Sequence, residues 1–161
     1  MVSIRAARTD DLASIWNVIE PILRAGETYA LSRELGRDEA LAYWCSERHE
    51  VFVAEEGDSV IGTYYLRANQ SGGGSHVANC GYVTAVTASG RGVARALCAH
   101  SHTHAKSRGF RAMQFNFVVS TNERAVWLWQ SFGFETVGRL PGAFLHPYAG
   151  YVNAYVMYRM L

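Results

Sequence analysis

The chain has 161 residues, 49% of them hydrophobic, and can bury one sizeable core as a single domain spanning residues 1–161. Its 15 basic and 14 acidic residues give a net charge of +1 without long runs of one sign, which argues against nucleic-acid or membrane partners. The three cysteines form no C-x-x-C pair, and neither an apolar leader nor a stretch of transmembrane length is present, so we expect a cytoplasmic protein with free thiols.

The first third of the chain predicts one strand followed by two helices. Val2–Arg5 fits a short strand, and Thr9 fits the N-cap of a helix whose apolar residues recur at helical spacing. Pro21 is expected to kink or end that helix. After an irregular segment at 26–36, Asp38 is expected to begin the second helix.

Three strands are predicted next. Val51–Glu55 and Val60–Leu66 alternate as strands do and are joined by the turn Glu56–Asp58. The glycine-rich segment Gln70–Ser75 is expected to be a loop, and His76–Thr84 the strand that follows it.

The second half alternates helices and strands. A helix is predicted from Gly92 to Arg108, a strand over Ala112–Val119, a helix capped by Asn122, and two final strands at Phe134–Leu140 and Tyr151–Arg159. The order is β-α-α-β-β-β-α-β-α-β-β, which predicts an α/β (α+β) domain with about seven strands in a mostly antiparallel sheet and four helices. The strands that flank the third helix should be parallel.

The turn Ser89–Ala94, between a strand and a helix, is a candidate anion site. Gly90 and Gly92 allow a tight turn and close approach of a ligand to the backbone. Backbone N–H groups at the positive end of a helix dipole bind phosphate or pyrophosphate. A turn of this kind is a weak signal without a second motif.

The second motif is Asn122-x-x-Ala125-x-x-Leu128, followed by Gly133-Phe134. Together with the glycine turn, it closely resembles the GCN5-related N-acetyltransferase (GNAT) superfamily. The resemblance covers the chain from about Tyr82 to Phe134 and implies a GNAT-like sheet and an acetyl-CoA enzyme.

The resemblance implies that the CoA pyrophosphate lies on the turn and that the pantetheine arm runs beside the preceding strand, between strands that splay apart. Asn122 then contacts the pantetheine or caps its helix. The residues that the resemblance assigns to the cofactor are Tyr82, Val83, Thr84, Ser89, Gly90, Arg91, Gly92, Val93, Ala94, Asn122, Ala125 and Trp129. No metal is expected.

Two positions depart from the family pattern. Ser89 stands where Arg or Gln is usual, so Arg91 or Arg95 is expected to take over that phosphate contact. Trp129 stands where the family often has a tyrosine acid, and an indole N–H does not titrate in that role. A thiolate can leave without an acid, and Trp129 as core packing is the alternative.

A narrower resemblance covers Phe115–Asn122, with Trp127, Trp129, Gly138 and Pro141. This set is similar to fungal acetyltransferases that act on proline analogues such as azetidine-2-carboxylate. It places Asn116 in the substrate pocket, where its amide would orient the acceptor. A buried amide that pairs with a neighbouring strand end is the alternative.

The acceptor pocket and the general base are less defined. The family often builds the pocket from the segment that here contains Glu27 and Tyr29. Glu27, His76 and His146 are candidate bases, each with a plain surface position as the alternative. His100, His102 and His104 are interpreted as a solvated helix flank, because no further metal ligand lies close in sequence.

The sequence therefore predicts an acetyl-CoA-dependent N-acetyltransferase of a small amine, an amino acid or an analogue of one. Asn116 and the backbone N–H on the strand ending at Thr84 are the expected catalytic groups. Acetylation of a protein N-terminus or lysine is one alternative, and a non-catalytic acetyl-CoA-binding module is another. The aromatic residues of the last third fit either a homodimer interface or an acceptor pocket; they are Phe144, Tyr148, Tyr151 and Tyr155.

Overall fold

A computed structural model describes all 161 residues, which form one seven-stranded mixed sheet and four helices. The strands lie in the order β1-β2-β3-β4-β5-β7-β6, and every neighbouring pair is antiparallel except β4 and β5. The expected fold class and the parallel pair are confirmed. The elements are β1 Ser3–Ala6, α1 Leu12–Ala25, α2 Arg37–Trp44, β2 Glu50–Glu56, β3 Ser59–Ala68, β4 Val77–Thr84, α3 Val93–Ser107, β5 Ala112–Val119, α4 Glu123–Ser131, β6 Glu135–His146 and β7 Gly150–Met160.

Each face of the sheet carries its own hydrophobic core. Helices α1 and α2 cover one face, where Val53, Tyr65 and Val83 meet the buried stripe of α1. Helices α3 and α4 cover the other face, where the alternate residues Tyr64 and Leu66 are buried. Because β3 is buried on both faces, it reads as a continuous apolar run in the sequence. None of the helices combines the length and the apolarity needed to span a bilayer.

Helix α1 differs from the prediction at both ends. Thr9 opens a short 3₁₀ turn, and the side chain of Asp11 accepts hydrogen bonds from Arg8 N at 2.6 Å and from Arg5 at 2.8 Å just before the helix. Pro21 does not end the helix, which continues to Ala25. Buried residues on both sides of the proline hold the helix against the sheet, and this packing offsets the one lost backbone hydrogen bond.

Strand β6 is longer than predicted and runs through Pro141 to His146. Proline is tolerated there because β6 is the outermost strand of the sheet. Its register against β7 shifts between Leu140 and Phe144, around the proline.

The parallel pair β4–β5 is very short. Only Val77 with Ala112 and Ala78 with Met113 are paired, after which the two strands diverge. On its other side, β5 changes register against β7 between Phe115 and Val118, so its backbone bulges at the same level. These two features leave a gap in the middle of the sheet.

Helix α3 begins unusually close to the sheet. A Cβ on Gly62 of β3 would lie 2.9 Å from Val93 Cγ1 and 3.1 Å from Leu97 Cδ1. The missing side chain therefore lets the first turns of α3 rest on β3, which sets where the N-terminus of the helix lies relative to the gap.

The histidines of α3 are not a solvated flank, and that interpretation is corrected. His102 is 8% exposed and donates from Nδ1 to Cys98 O at 2.7 Å, while its Nε2 has no partner. His100 Nδ1 lies 2.7 Å from the Tyr64 hydroxyl, and His104 Nε2 lies 2.7 Å from Glu50. All three rings are used in packing against neighbouring elements.

Acid should destabilise the fold through these histidines. Burial lowers the pKa of His102, and of His49 and His100, so the unfolded chain binds protons first as the pH falls. The stability they contribute is complete above pH ~6.5, the unfolded pKa, and is lost as the pH drops toward the folded pKa. Urea unfolding should show a loss of up to about 1 kcal/mol per such histidine between pH 7 and 5.5.

His102→Gln is the matched variant, because an amide can still donate to Cys98 O but does not titrate. Its free energy of unfolding should depend less on pH over this range than that of the wild type. An unchanged pH dependence in this variant would show that the pKa of His102 is the same in the folded and unfolded chain.

Candidate active site

A cavity of about 900 Å³ occupies the gap between β4 and β5. Its walls come from the α1–α2 loop, strands β3 to β5, the turn before α3 and the first turns of α4. The cavity therefore has one end at the glycine turn and another end against β3 and the α1–α2 loop.

The glycine turn presents unpaired backbone donors. The N–H groups of Gly90 and Gly92 and those of residues 93–95 donate to no group of the protein. Gly90 and Gly92 have φ of 78° and 82°, a conformation that favours glycine. A Cβ on Gly92 would meet nothing within 4 Å, and Gly90, Gly92 and residues 93–95 all line the cavity. This geometry suits a phosphate or pyrophosphate group.

Two arginines expected to face the phosphate interact with other groups of the protein, although Arg95 also lines the cavity. Arg91 does not line the cavity and forms an ion pair with Glu56. The Arg95 guanidinium lies over Phe132, 5.4 Å from the ring centroid, and donates to Ser131 Oγ at 3.3 Å. The expectation that Arg91 replaces the usual Arg or Gln is therefore corrected.

Arg124 is the cation that faces the turn. It lies in the first turn of α4 and lines the cavity, with Nη1 at 3.5 Å from Ser89 Oγ. Its Nη2 would be 3.6 Å from a Cβ on Gly90. The sequence interpretation missed it, although it is adjacent to the motif that begins at Asn122.

Strand β4 offers main-chain groups to the gap. Ala85 N donates to Ile61 O of β3, so by strand alternation the N–H and C=O groups of Tyr82 and Thr84 point away from β3, into the gap. One of them is occupied: the Tyr29 hydroxyl donates to Tyr82 O at 2.7 Å. The others remain available to an extended ligand, as a neighbouring strand would be.

Trp129 and Asn122 stand on the opposite wall. Trp129 is 8% exposed, and its ring centroid lies 5.0 Å from those of Tyr82 and Phe115. Asn122 caps α4, because its Oδ1 accepts from Ala125 N at 3.4 Å, which confirms the capping interpretation. Asn122, Ala125 and Trp129 all line the cavity.

The end of the cavity against β3 is lined by aromatic residues. Tyr43 and Tyr65 have their hydroxyls 3.3 Å apart, and a Cβ on Gly81 would lie only 2.5 Å from the Tyr65 ring. Gly81 therefore lets this ring lie flat against β4. Burial raises the pKa of Tyr65 and that of Tyr29, so neither hydroxyl ionises near neutral pH.

Asn116 lies at the bulge of β5 and lines the same end of the cavity. It is exposed, which corrects the buried-amide alternative. Its Nδ2 donates to Asn69 Oδ1 at 2.7 Å, and its Oδ1 accepts from Gln114 Nε2 at 2.9 Å. Asn116 is thus the middle member of a row of three side-chain amides.

Several expected residues are not brought to the cavity. Glu27 is half-buried but does not line it, although its neighbours Thr28 and Tyr29 do. His76 and His146 are also outside, and His146 Nδ1 accepts from the backbone of the β6–β7 turn. None of the three candidate bases therefore lies in the wall of the site.

The aromatic residues of the last third do not form the acceptor pocket. They lie on β6 and β7 and in the connecting turn, and none lines the cavity. Tyr148 and Tyr151 are strongly exposed, whereas Phe144 is buried. A dimer interface on these strands stays a prediction.

Comparison with known proteins identifies the family. The model of the acetyltransferase (GNAT) family matches residues 12–134, which include both the glycine turn and the motif from Asn122. The chain belongs to the GNAT family. The matched range contains the diverging strands β4 and β5 as well as the glycine turn.

Individual relatives agree with this assignment. A GCN5-related N-acetyltransferase from Kribbella flavida is 42% identical and superposes with a TM-score of 0.95, over 99% of this chain and 98% of that one. The yncA protein of Salmonella typhimurium, solved with its cofactor acetyl-CoA, is 21% identical with a TM-score of 0.88, over 100% and 94%. The N-acetyltransferase aca1 of Schizosaccharomyces pombe is 25% identical over 90% of this chain and 78% of its own length.

The positions of the arginines predict how substitutions affect this GNAT protein. Arg124→Gln removes the cation that faces the turn and should weaken the binding of CoA about tenfold, as expected for one partly exposed charge-assisted contact. Arg91→Gln changes the net charge equally but removes only the outward pair with Glu56. Isothermal titration with CoA should show an unchanged Kd for Arg91→Gln. Equal losses in both variants would mean that general charge, and not the position of Arg124, controls binding.

Proposed function

We propose that this GNAT protein is an acetyl-CoA-dependent N-acetyltransferase of a small amine, an amino acid or an amino-acid analogue. The observation that carries the proposal is the single cavity through the β4–β5 gap. It joins a turn with five unpaired N–H groups to a chamber of tyrosines and amides.

The residues present fit the cofactor. The turn Ser89–Ala94 with Arg124 suits the pyrophosphate, and the gap-facing backbone of Tyr82 and Thr84 suits the amides of a pantetheine arm. When bound, acetyl-CoA supplies the thioester whose acetyl group is transferred. The name of aca1 states N-acetylation for that relative and supports the same transfer here.

The backbone of β4 provides the electrostatic part of the reaction. The N–H groups of Tyr82 and Thr84 are fixed by the β3–β4 ladder and point into the gap. A fixed donor directed at the acetyl oxygen stabilises the negative charge that develops there, at no cost in reorganisation. We assign this role to the strand segment that ends at Thr84.

Asn116 and Tyr29 orient the acceptor in this proposal. Asn116 is exposed to the cavity and offers an amide whose second N–H is not used within the protein. Tyr29 is held by Tyr82 O and closes the chamber from the side of the α1–α2 loop. Neither group accepts a proton near neutral pH, so both bind and position.

The acceptor must therefore react as a neutral amine and release its proton to water. The titratable side chains that we place at this end are Tyr29, Tyr43, Tyr65 and Arg67, and no imidazole lines the cavity. The carboxylate in the cavity wall, Glu123, lies in the first turn of α4 beside Arg124, and burial raises the pKa of the Cys80 thiol. Trp129 has no titrating proton either, so the CoA thiolate leaves without an acid from this position.

The decisive experiment is an acetyl-transfer screen over amino acids, proline analogues, polyamines and peptides, read as thiol release and as acetylated product. We expect turnover with small amino acids or their analogues and about tenfold less with Asn116→Ala, which removes one positioning contact. Unchanged turnover in Asn116→Ala would remove that residue from the mechanism. Binding of acetyl-CoA without turnover of any amine would instead support a non-catalytic module.

The absence of a base from the acceptor end predicts a particular pH profile. With acetyl-CoA saturating, kcat/KM should rise about tenfold per pH unit up to the pKa of the acceptor's own amine. Two acceptors with different amine pKa values should therefore give profiles displaced by that difference. A rise at one fixed pH for both acceptors would point to a titrating group of the enzyme.

A further inference from the structure

Arg67 is the one charged side chain at the acceptor end of the cavity. It lies on β3, on the same face as Tyr65, and is half-buried. The other cavity-lining arginines, Arg95 and Arg124, lie at the glycine turn and on α3 and α4. The acceptor end of the cavity therefore carries a positive charge.

The protein holds this guanidinium by one nitrogen only. Arg67 Nε donates to Asn79 Oδ1 at 3.3 Å, while its two terminal nitrogens have no partner in the protein. No carboxylate of the chain forms an ion pair with it, in contrast to Arg5, Arg91 and Arg108. The N–H groups of the two terminal nitrogens, here called the fork, therefore lack hydrogen-bond acceptors within the protein although the guanidinium is half-buried.

The support for Arg67 is rigid. Asn79 is 6% exposed, faces Arg67 across the β3–β4 ladder, and donates its Nδ2 to Gln114 O of β5 at 2.9 Å. This pair of hydrogen bonds holds the Asn79 amide between β3 and β5 and gives the guanidinium one contact, at Nε. Such a preorganised fork matches the two oxygens of a carboxylate.

The row of amides lies beside the fork. Asn69 directly follows β3, two residues after Arg67 in the chain, and it accepts from Asn116 Nδ2 at 2.7 Å. A carboxylate on Arg67 would thus place the rest of a small molecule between Arg67, Asn116 and the gap. A molecule that fits between these groups has the size of an amino acid and not that of a long-chain amine.

We propose that Arg67, oriented by Asn79, binds the carboxylate of the acceptor, and that the enzyme selects amines that carry a carboxylate close to the amino group. This inference rests on the proposed function and names its substrate class as free amino or imino acids. Three classes of amine lack a carboxylate next to the amino group: polyamines, lysine side chains and the N-termini of peptides. The enzyme selects against them, because the terminal nitrogens of Arg67 stay without an acceptor when they bind.

The test compares each free acid with its primary amide: L-alanine with L-alaninamide, and L-proline with L-prolinamide. Values of kcat/KM are expressed on the concentration of neutral amine, because the amide and the acid differ in amine pKa. The wild type should prefer the acids at least thirtyfold. In Arg67→Gln this ratio should collapse toward one, through a higher KM for the acids, and Arg67→Lys should recover part of it.

A binding measurement removes the dependence on turnover. The N-acetylated acid should bind to the wild type and at least tenfold more weakly to Arg67→Gln by titration calorimetry. Arg139→Gln, on the exposed side of β6, changes the net charge equally and should leave both measurements unaltered.

The outcomes separate this inference from the proposed function. Two outcomes would overturn the role of Arg67 and leave the acetyltransferase intact. One is equal kcat/KM of the wild type for the free acids and their amides. The other is an equal loss of kcat/KM for acid and amide in Arg67→Gln. If none of the acids, amides or polyamines supports thiol release, the proposed function fails first, and the inference about Arg67 fails with it.

Discussion

The divergence of β4 and β5 is the constraint on which the rest of the structure depends. Two paired positions hold the strands together, and beyond them the Asn79 side chain donates to Gln114 O in place of a main-chain donor. Strands that separate inside a sheet leave backbone groups without partners, and such groups must be satisfied by other means. Tyr29 takes one of them, Tyr82 O, and the remaining ones line the cavity. The gap in the sheet and the candidate binding site are therefore the same feature.

The same constraint explains the arrangement of the helices around the gap. Gly62 allows the first turns of α3 to rest against β3, so the unpaired N–H groups of the glycine turn lie at one mouth of the gap. Arg124, from α4, approaches that mouth from the other side. Positive charge and backbone donors thus converge from two helices on one place, although neither helix N-terminus alone would define a site.

The acceptor end has a different chemical character, with tyrosines, amides and one guanidinium and without a side chain that accepts a proton near neutral pH. In the function that we propose, such a chamber binds and orients the acceptor and leaves proton removal to water. Catalysis in that proposal depends on the position of the amine relative to fixed backbone donors and not on a general base. The buried Asn79 holds Arg67 and also bridges β4 to β5 just beyond the two paired positions, so Arg67 is held where the strands begin to diverge.

The sequence by itself determined the element order, the parallel strand pair, the glycine turn and the cap at Asn122. Each of these depends on local chemistry: hydrophobic period, positive φ at glycine, and a side chain that reaches its own helix. Element ends were predicted less well, because Pro21 and Pro141 are accommodated by packing on the sheet and by an edge position, which no local pattern reveals.

Only the tertiary structure decided which side chains share the site. Arg67 and Asn79 are twelve residues apart in the sequence and meet across a ladder, while Arg124 and Ser89 meet between two helices. Glu27, Arg91, His76 and His146 looked equally suitable by residue type but lie outside the cavity. Residue type fixes what a side chain can do, whereas strand register and helix packing fix what it can reach.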